Sequence, residues 1–284
     1  MEIANLIKEL RNKTGAGFLD CKIALSENNN DIDGAVEYLR KKGLAKASKK
    51  TSREANDGAI GFFSNEKISV IIKINSETDF AAKSETFLSF LNELGDYAIK
   101  TNDPKLDKDS FLNLNYKNGK ISDYFTNMIA QIGENLILND LLVFDNSHYY
   151  LSHYIHNSYN KNIGKIISII TYKSNKNDDE VKLFSKNLCM HVAAMKPISL
   201  DVHDLDKSII ENEKKIQREL ILNSGKPSNI VDKILEGKMS KFYSEVTLLN
   251  QKYVLDQDKS IKEIIEEHSK VFDYSIESFN IITL

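Results

Sequence analysis

With 284 residues, 41% of them hydrophobic and 28% charged, the chain is long enough for two or three packed units of ordinary globular composition. A net charge of −3 and a pI near 6.1 argue against a protein built mainly to coat nucleic acid. Cys21 and Cys189 are too few for a disulfide framework or a zinc cluster, no apolar run reaches membrane-spanning length, and Met1–Asn5 lacks the regions of a signal peptide; a cytoplasmic protein with no membrane segment is expected.

Ile3, Leu6, Ile7 and Leu10 fall at i, i+3, i+4 and i+7 and predict a first helix. Thr14-Gly15-Ala16-Gly17 breaks it, and a second helix is expected from about Phe18 to Asn28. Asp31 is a natural N-cap for a third helix, which carries Ile32, Ala35, Val36 and Leu39 on one face and is expected to stop at Gly43. Leu44–Asn56, rich in Lys, Ala and Ser, reads as a helical linker.

Gly58–Phe63 and Lys67–Ile74 read as strands around a turn at Ser64-Asn65-Glu66. Ser84–Ala98 and Ile121–Gly133 read as helices, separated by Thr101–Gly119, which is polar, contains Pro104 and is loop-like at least in part. Strand-like runs follow at Ile137–Phe144, Tyr149–His156 and Ile163–Tyr172, then a helix over Val181–Ala194. Two longer helices meet at Ser224-Gly225-Lys226-Pro227, where Gly225 suits the end of one and Pro227 the first turn of the next. Leu205, Ile209, Ile216 and Leu220 are expected to face Ile230, Ile234 and Phe242, making a helical hairpin. A short helix over Ser260–His268 and a strand over Tyr274–Leu284 complete the chain.

One corner stands out. The apolar strand Ile71–Ile74 runs into Asn75-Ser76-Glu77-Thr78-Asp79-Phe80, which sets a carboxylate beside a phenyl ring ahead of an amphipathic helix. The two side chains want opposite environments, and a corner pressed into a partner satisfies both. The bland alternative is a core aromatic beside a turn residue. A weak internal similarity bears on the choice: Val70–Ile74, Ser84–Ala98 and Pro104 resemble Ile166–Ile170, Val181–Ala194 and Pro197. The second copy carries only Lys173-Ser174-Asn175-Lys176-Asn177 after its strand, so the fold does not itself demand Asp-Phe there.

Other candidates are weaker. Cys189 and His191 point in different directions on a helix and read as structural residues. His148, His153 and His156 lack a carboxylate or cysteine at a familiar zinc spacing. The basic run Arg40, Lys41, Lys42, Lys46, Lys49, Lys50 and Arg53 reads as a solvated helix face, with nucleic-acid binding the alternative. No phosphate loop is present, since Thr14-Gly15-Ala16-Gly17 lacks both the preceding strand and a following Lys-Ser/Thr.

The stretch Leu10–Leu25, which includes Thr14-Gly15-Ala16-Gly17 and Asp20-Cys21-Lys22, closely resembles the N-terminal signature of the bacterial elongation factor Ts family. Ile74–Lys83 resembles its second signature. Ile132-Gly133-Glu134-Asn135, Tyr154-Ile155-His156, His191–Pro197 and the stretches Ser224–Pro227 and Glu236–Met239 resemble further family motifs, in order over nearly the whole chain.

The resemblance implies an α+β fold: a ubiquitin-associated-like three-helix module with a basic linker over 1–54, a two-part core with antiparallel sheets over 55–140 and over 141–200 with 243–284, and an inserted antiparallel helical hairpin over 201–242. It implies a nucleotide-exchange factor for the GTPase elongation factor Tu, with no covalent chemical step, no bound cofactor and no metal of its own. The family's Thr-Asp-Phe-Val motif helps dislodge the partner's magnesium ion; here it falls on Thr78, Asp79, Phe80 and Ala81. Arg11, Thr14, Gly15, Tyr154 and His156 are carried over as further partner contacts. A two-plus-two heterotetramer is among the assemblies implied.

Departures from the family pattern are Phe18-Leu19 for the common Met-Met, Ser76-Glu77 for Cys-Gln, and Ala81 for Val. The chain ends at Leu284, where longer members add a C-terminal helical module, so that contact is expected to be missing. The alternatives are a partner of elongation factor Tu whose exchange activity has weakened, and an RNA-binding protein that uses the basic linker.

Overall fold

A computed structural model describes residues 3–14, 16–224 and 227–284, the side chains of residues 44, 46, 48, 228 and 229 excepted. The described residues form an α+β fold with antiparallel sheets and divide into two units: Met1–Asp145 with Asn157–Lys165 and Leu284, and Asn146–His156 with Ile166–Thr283.

The first unit begins with α1 (Ile3–Thr14), α2 (Phe18–Glu27) and α3 (Ile32–Ser48). Leu6, Ile7 and Leu10 of α1 pack with Cys21, Ala24 and Leu25 of α2 and with Ala35 of α3, as the apolar spacing requires. Asp31 caps α3 by accepting the Gly34 N–H at 2.9 Å. The third helix does not stop at Gly43. Glycine costs a helix about 1 kcal/mol relative to alanine, but the Leu-Ala-Lys-Ala run that follows is strongly helix-forming. A Cβ at Gly43 would stand 3.0 Å from the Ala130 Cβ, so the glycine permits close approach to the helix that carries Ala130.

β1 (Asp57–Ser64) and β2 (Ile68–Ser76) form a hairpin with Asp57 opposite Ser76 and Phe63 opposite Val70. Asn65 shapes its turn, the side-chain oxygen accepting the N–H groups of Lys67 and Ile68 at 2.8 and 2.9 Å. Then come α4 (Asp79–Lys83), α5 (Glu85–Lys100), α6 (Lys108–Asn113), β3 (Asn115–Tyr116), β4 (Gly119–Lys120), α7 (Ile121–Ile132) and β5 (Leu136–Asp145). β6 (Tyr150–His156) belongs to the second unit, and β7 (Ile163–Gly164) returns to pair with β1, giving the order β5-β2-β1-β7. Val70, Ile72 and Ile74 share a core with Phe87, Phe90, Leu91 and Leu94 of α5.

The polar stretch Thr101–Gly119 holds more structure than its composition suggests. Leu106 and Phe111 are buried, and Asp107 caps α6 by accepting the Ser110 N–H at 2.7 Å. The Glu93 carboxylate accepts the hydroxyls of Tyr116 and Tyr124 at 2.9 Å and the Lys117 ammonium at 2.6 Å.

In the second unit, β8 (Ile166–Lys173) is followed by α8 (Asp179–Met195), α9 (Lys207–Asn223), α10 (Ser228–Val246), β9 (Lys252–Tyr253), β10 (Asp256–Ser260), α11 (Ile261–Phe272) and β11 (Ser275–Thr283). β8 is the centre of the antiparallel sheet β11-β8-β6. Ile170 and Tyr172 share a core with Phe184, Leu188 and Val192 of α8 and with Ile264 and Phe272 of α11. A reciprocal capping box starts α11, with the Ser260 N–H on Glu263 at 2.7 Å and the Glu263 N–H on Ser260 at 3.3 Å.

The α9–α10 seam differs from the expected one. Ile221, Val231, Leu235 and Met239 are buried, with Ile210, Ile234, Phe242 and Tyr243 packed against them. Ile209, Ile216, Leu220 and Ile230 are exposed instead. Ile209, Ile216 and Leu220 form a stripe with the same spacing as Ile210, Gln217 and Ile221, one residue round the helix, so periodicity alone could not choose between them. Pro227 is the N-cap of α10 rather than part of its first turn, and Gly225 and Lys226 lie outside the described residues. Among the described residues no helix is long and apolar enough to cross a membrane.

Candidate partner-binding site

The corner after β2 is built so that its backbone is held and its ring is not. Thr78 is the N-cap of α4: its hydroxyl accepts the Ala81 N–H at 3.3 Å. The same hydroxyl donates to Glu134 Oε1 at 2.7 Å, and the Thr78 N–H donates to Glu134 Oε2 at 2.9 Å. Ser76 is fully buried and donates its hydroxyl to the Thr78 carbonyl at 2.9 Å. Ala81 and Ala82 are buried and seat the short helix.

Glu77 ties the corner to the turn after α7. Its carboxylate accepts the Asn135 N–H at 2.7 Å and lies 3.3 Å from the Arg53 guanidinium. The Asn135 N–H, with help from Arg53, holds that carboxyl below its ordinary range, although burial works the other way. Asn135 is buried and its amide donates to the Arg53 carbonyl at 2.7 Å. Gly133 ends α7 at φ +89°, a conformation that glycine adopts without strain, and the Lys50 ammonium donates to its carbonyl.

On this frame Phe80 is 83% exposed. Leaving a phenyl ring in water forgoes roughly 2 kcal/mol of burial, so nothing in folding places it there. Asp79, beside it, pairs with the Lys83 ammonium at 2.6 Å, one helical turn on. That hydrogen bond is the main reason its carboxyl lies below the usual range. The corner therefore offers an apolar wedge and a carboxylate within two consecutive residues, on a backbone tied at both ends.

The other carried-over residues fall elsewhere. Arg11 is exposed on α1, in a groove of about 420 Å³ with Ile7, Asn12 and Phe18. Thr14 donates its hydroxyl to the Leu10 carbonyl at 2.6 Å, while Gly15 lies outside the described residues. Arg11 and Thr14 belong to the three-helix part of the first unit, which has its own small core. Tyr154 and His156 are on β6 of the second unit, with the Tyr154 hydroxyl 3.2 Å from His156 Nδ1. Sequence reasoning missed the brace formed by Glu134, Asn135, Arg53 and Lys50. Ile132-Gly133-Glu134-Asn135 was legible as a motif, but its role needs the register that sets Ser76 opposite Leu136.

The remaining candidates are otherwise engaged. His191 is buried, with Nε2 on Gln251 at 3.0 Å and Nδ1 accepting the Val254 N–H at 3.3 Å. Burial pushes the Cys189 thiol up to about 12 and His153 down to about 4. Among the described residues no group of His, Cys, Asp and Glu is placed to hold a metal ion. In the basic run, Lys41 pairs with Glu37 at 2.8 Å, Lys42 with Asp20 at 3.1 Å and Arg53 with Glu77, while the Lys46 side chain lies outside the described residues.

Comparison with known proteins follows the same lines. Residues 77–284, beginning within the corner, match the family model described as elongation factor TS. The chain is 38% identical over 264 residues to the elongation factor Ts of Methylorubrum extorquens, covering 93% of this chain and 85% of that protein. It is 39% identical over 267 residues to that of Halothermothrix orenii, covering 92% and 86% respectively. Against the elongation factor Ts of Sinorhizobium fredii it is 36% identical over 281 residues, covering 99% and 91%. These matches put the chain among the translation elongation factors. It belongs to the elongation factor Ts family.

Proposed function

We propose that this protein binds the GDP-bound form of elongation factor Tu and promotes GDP release by disturbing the GTPase's magnesium site, so that GTP can rebind. The reading is carried by Phe80, 83% exposed on a corner whose backbone is tied to Glu134 and Asn135. Thr78 and Ala81 set the helix that presents Asp79 and Phe80. Phe80 acts as a wedge between elements that shape the partner's magnesium site, and Asp79 competes there for hydrogen bonds and positive charge. Magnesium bridges the phosphates and the GTPase, so moving its ligands weakens nucleotide binding. Linkage then requires GDP to weaken this protein on the GTPase by the same factor. No bond is made or broken and this chain needs no cofactor.

In this reading residues 1–54 are the ubiquitin-associated-like module with its linker, and Arg11, Thr14 and Gly15 extend the contact. Residues 55–140 form one half of the core; 141–200 with 243–284 form the other, which contributes Tyr154 and His156. Residues 201–242 are the inserted hairpin. The setting is the cytoplasm, with a two-plus-two complex among the assemblies to be sought. The pairing of Lys41, Lys42 and Arg53 with acidic neighbours supports a protein partner over nucleic acid.

The test is release of a fluorescent GDP analogue from elongation factor Tu. The wild type is expected to accelerate release, and Phe80→Ala and Asp79→Ala each to lose at least tenfold. If both variants match the wild type, the corner is not the probe; if the wild type binds without accelerating release, the protein is a holding partner only.

A further inference from the structure

The helix pair α9–α10 is rooted where the chain leaves α8 and where it returns after α10. Three backbone hydrogen bonds run between the outgoing and returning segments. The Ile198 N–H donates to the Val246 carbonyl at 2.8 Å, the Leu248 N–H to that of Ser199 at 2.9 Å and the Leu249 N–H to that of Leu200 at 3.0 Å. These bonds hold the two segments to each other. Leu248 is fully buried in the core of the second unit and anchors the root there, but apolar contact is non-directional and sets no angle.

One side chain ties both segments to α8. The Gln251 amide nitrogen donates to the Glu245 carbonyl at 2.7 Å and to the Met195 carbonyl at 3.4 Å. These residues lie at the C-terminal ends of α10 and α8, where carbonyls lack helical partners. The amide oxygen meets Nε2 of His191, on α8, at 3.0 Å, and His191 Nδ1 accepts the Val254 N–H at 3.3 Å. The relay has one polarity. Two carbonyls can only accept, so the amide turns its nitrogen to them and its oxygen to His191; a backbone N–H can only donate, so Nδ1 carries no proton. Both ends require the same state, a neutral imidazole protonated on Nε2. His191 is fully buried, and burial favours that neutral form. Charged neighbours are engaged elsewhere: Glu245 pairs with Lys241 at 3.8 Å, and Lys252 donates to the Asp258 carbonyl at 2.8 Å. Tyr253, its ring centre 5.9 Å from that of His191, is kept neutral by burial, as is the Cys189 thiol. The sheet against α8 carries His153, which burial lowers to about 4, and Tyr172, which burial raises, so neither is charged at neutral pH.

We propose that Gln251, oriented by neutral His191, locks the α9–α10 pair to the second unit, and that protonation of His191 releases the lock. The added proton goes to Nδ1, where it meets the Val254 N–H donor to donor, and that hydrogen bond is lost. Gln251 is three residues before Val254 and shifts with it, so its hold on Glu245 and Met195 loosens while Leu248 stays seated. The pair then swings about Leu248 instead of moving with α8. Because the folded imidazole lies below its ordinary value, the lock is closed at neutral pH and opens as the pH falls below the usual histidine range. This gives His191 a role that the corner at Phe80 does not share, and it stands whether or not the exchange reading does.

Spin labels on Leu183→Cys and Ile216→Cys, exposed positions on α8 and α9, report the angle through their distance distribution. Cys21 and Cys189 are buried and stay unlabelled. With the full chain and an otherwise native root, the distribution should be narrow at pH 7.5. It should at least double in width as the pH falls, with the midpoint of the His191 imidazole followed by NMR. The near-UV signal of the buried Tyr172 and Tyr274 should still report a folded unit at that point. Gln251→Glu, which sets a carboxylate against the two carbonyls, should be as broad at pH 7.5 as the native root is in acid. His191→Gln keeps a donor for Gln251 and has no proton to gain, so its width should not change with pH. A native root that stays narrow until the near-UV signal is lost overturns the inference. So does a folded Gln251→Glu with the native width, or a His191→Gln that broadens in acid like the native root.

Discussion

The two units each carry a strand that leads through a polar corner into a helix, and the two corners use their residues in opposite ways. After β8 the corner is tied inward: the Ser174 hydroxyl and the Asn175 N–H both donate to the Phe272 carbonyl, at 2.8 and 2.9 Å. The buried Tyr172 donates to Asn177 at 2.8 Å, and Lys176 lies 4.4 Å from the Phe272 ring centre. Asp178 then caps α8 through the Val181 N–H at 3.1 Å. Every group there serves the fold. After β2 the backbone is tied just as firmly, but the tying is done by Ser76, Glu77 and Thr78; the next two side chains take no part in it, Asp79 pairing outward with Lys83 and Phe80 standing exposed. A residue placed by the fold but not used by it marks where to look for function.

The comparison breaks most sharply at Phe80. Phe80→Ala is expected to cost the exchange reaction at least tenfold, as loss of an interface anchor does, while stability measured by denaturant changes by less than about 0.5 kcal/mol. Ser174→Ala in the other corner should do the reverse, lowering stability by about 1 kcal/mol and leaving release rates alone. If Phe80→Ala destabilises as much as Ser174→Ala, the ring is structural and the contrast fails.

Glu134→Ala comes next. It strips the acceptors from the Thr78 N–H and hydroxyl, both on the outer side of the corner. The expected cost is about 1–2 kcal/mol in the first unit, with a several-fold slower maximal release rate as α4 loosens. Glu134→Gln, which retains one acceptor, should fall between the variant and the wild type. An unaltered release rate in Glu134→Ala would mean that presentation of Phe80 does not depend on the brace.

Much of this was legible in the sequence because the cues were local. The strand pair, the turn at Asn65, the cap at Asp31 and the corner itself follow from period and capping chemistry over a few residues. What was not legible depended on distant register or on competing stripes. Glu134 and Asn135 reach the corner only because β5 pairs with β2, and a bulge between Lys73 and Ile74 helps set which of its residues arrive there. The α9–α10 seam went to Ile210 and Ile221 over Ile209 and Leu220, a choice made by the partner helix. The third helix runs past Gly43 because the Leu-Ala-Lys-Ala run after it favours helix, while the glycine lets the helix that carries Ala130 come close.

Acid should separate the two units. All six histidines lie in the second unit. Burial lowers His153 to about 4, with Lys186 adding to the shift, and lowers His191. A group whose folded value lies below its unfolded value near 6.5 binds more protons when unfolded, so its contribution is complete above about pH 6.5 and lost as the pH falls toward 4. At pH 5 the second unit should be weaker by about 1–2 kcal/mol than at pH 7.5. Hydrogen exchange at the two pH values, corrected for intrinsic rates, should show lost protection in β6 and α8 while β1 and β2 hold. Equal losses in both units would contradict the assignment.

The smallest effect is expected at Glu77, and it bears on how the corner is held. The family pattern has Gln at this position, so Glu77→Gln tests whether the carboxylate matters as a charge or as an acceptor. The charge gains little, because Arg53 is more than half exposed and lies 3.3 Å away, in the range where surface pairs contribute less than about 1 kcal/mol. The bond to the Asn135 N–H is shorter, at 2.7 Å, and Asn135 is almost fully buried. A glutamine amide oxygen accepts that N–H as well as a carboxylate oxygen does in geometry, and a buried donor is costly to leave unmet. Glu77→Gln should therefore shift stability by no more than about 0.5 kcal/mol and leave the release rate unchanged, whereas Glu77→Ala should cost about 1–2 kcal/mol. If Glu77→Gln is as damaging as Glu77→Ala, the ion pair with Arg53 holds the corner, and raising the salt concentration should then slow release in the wild type too.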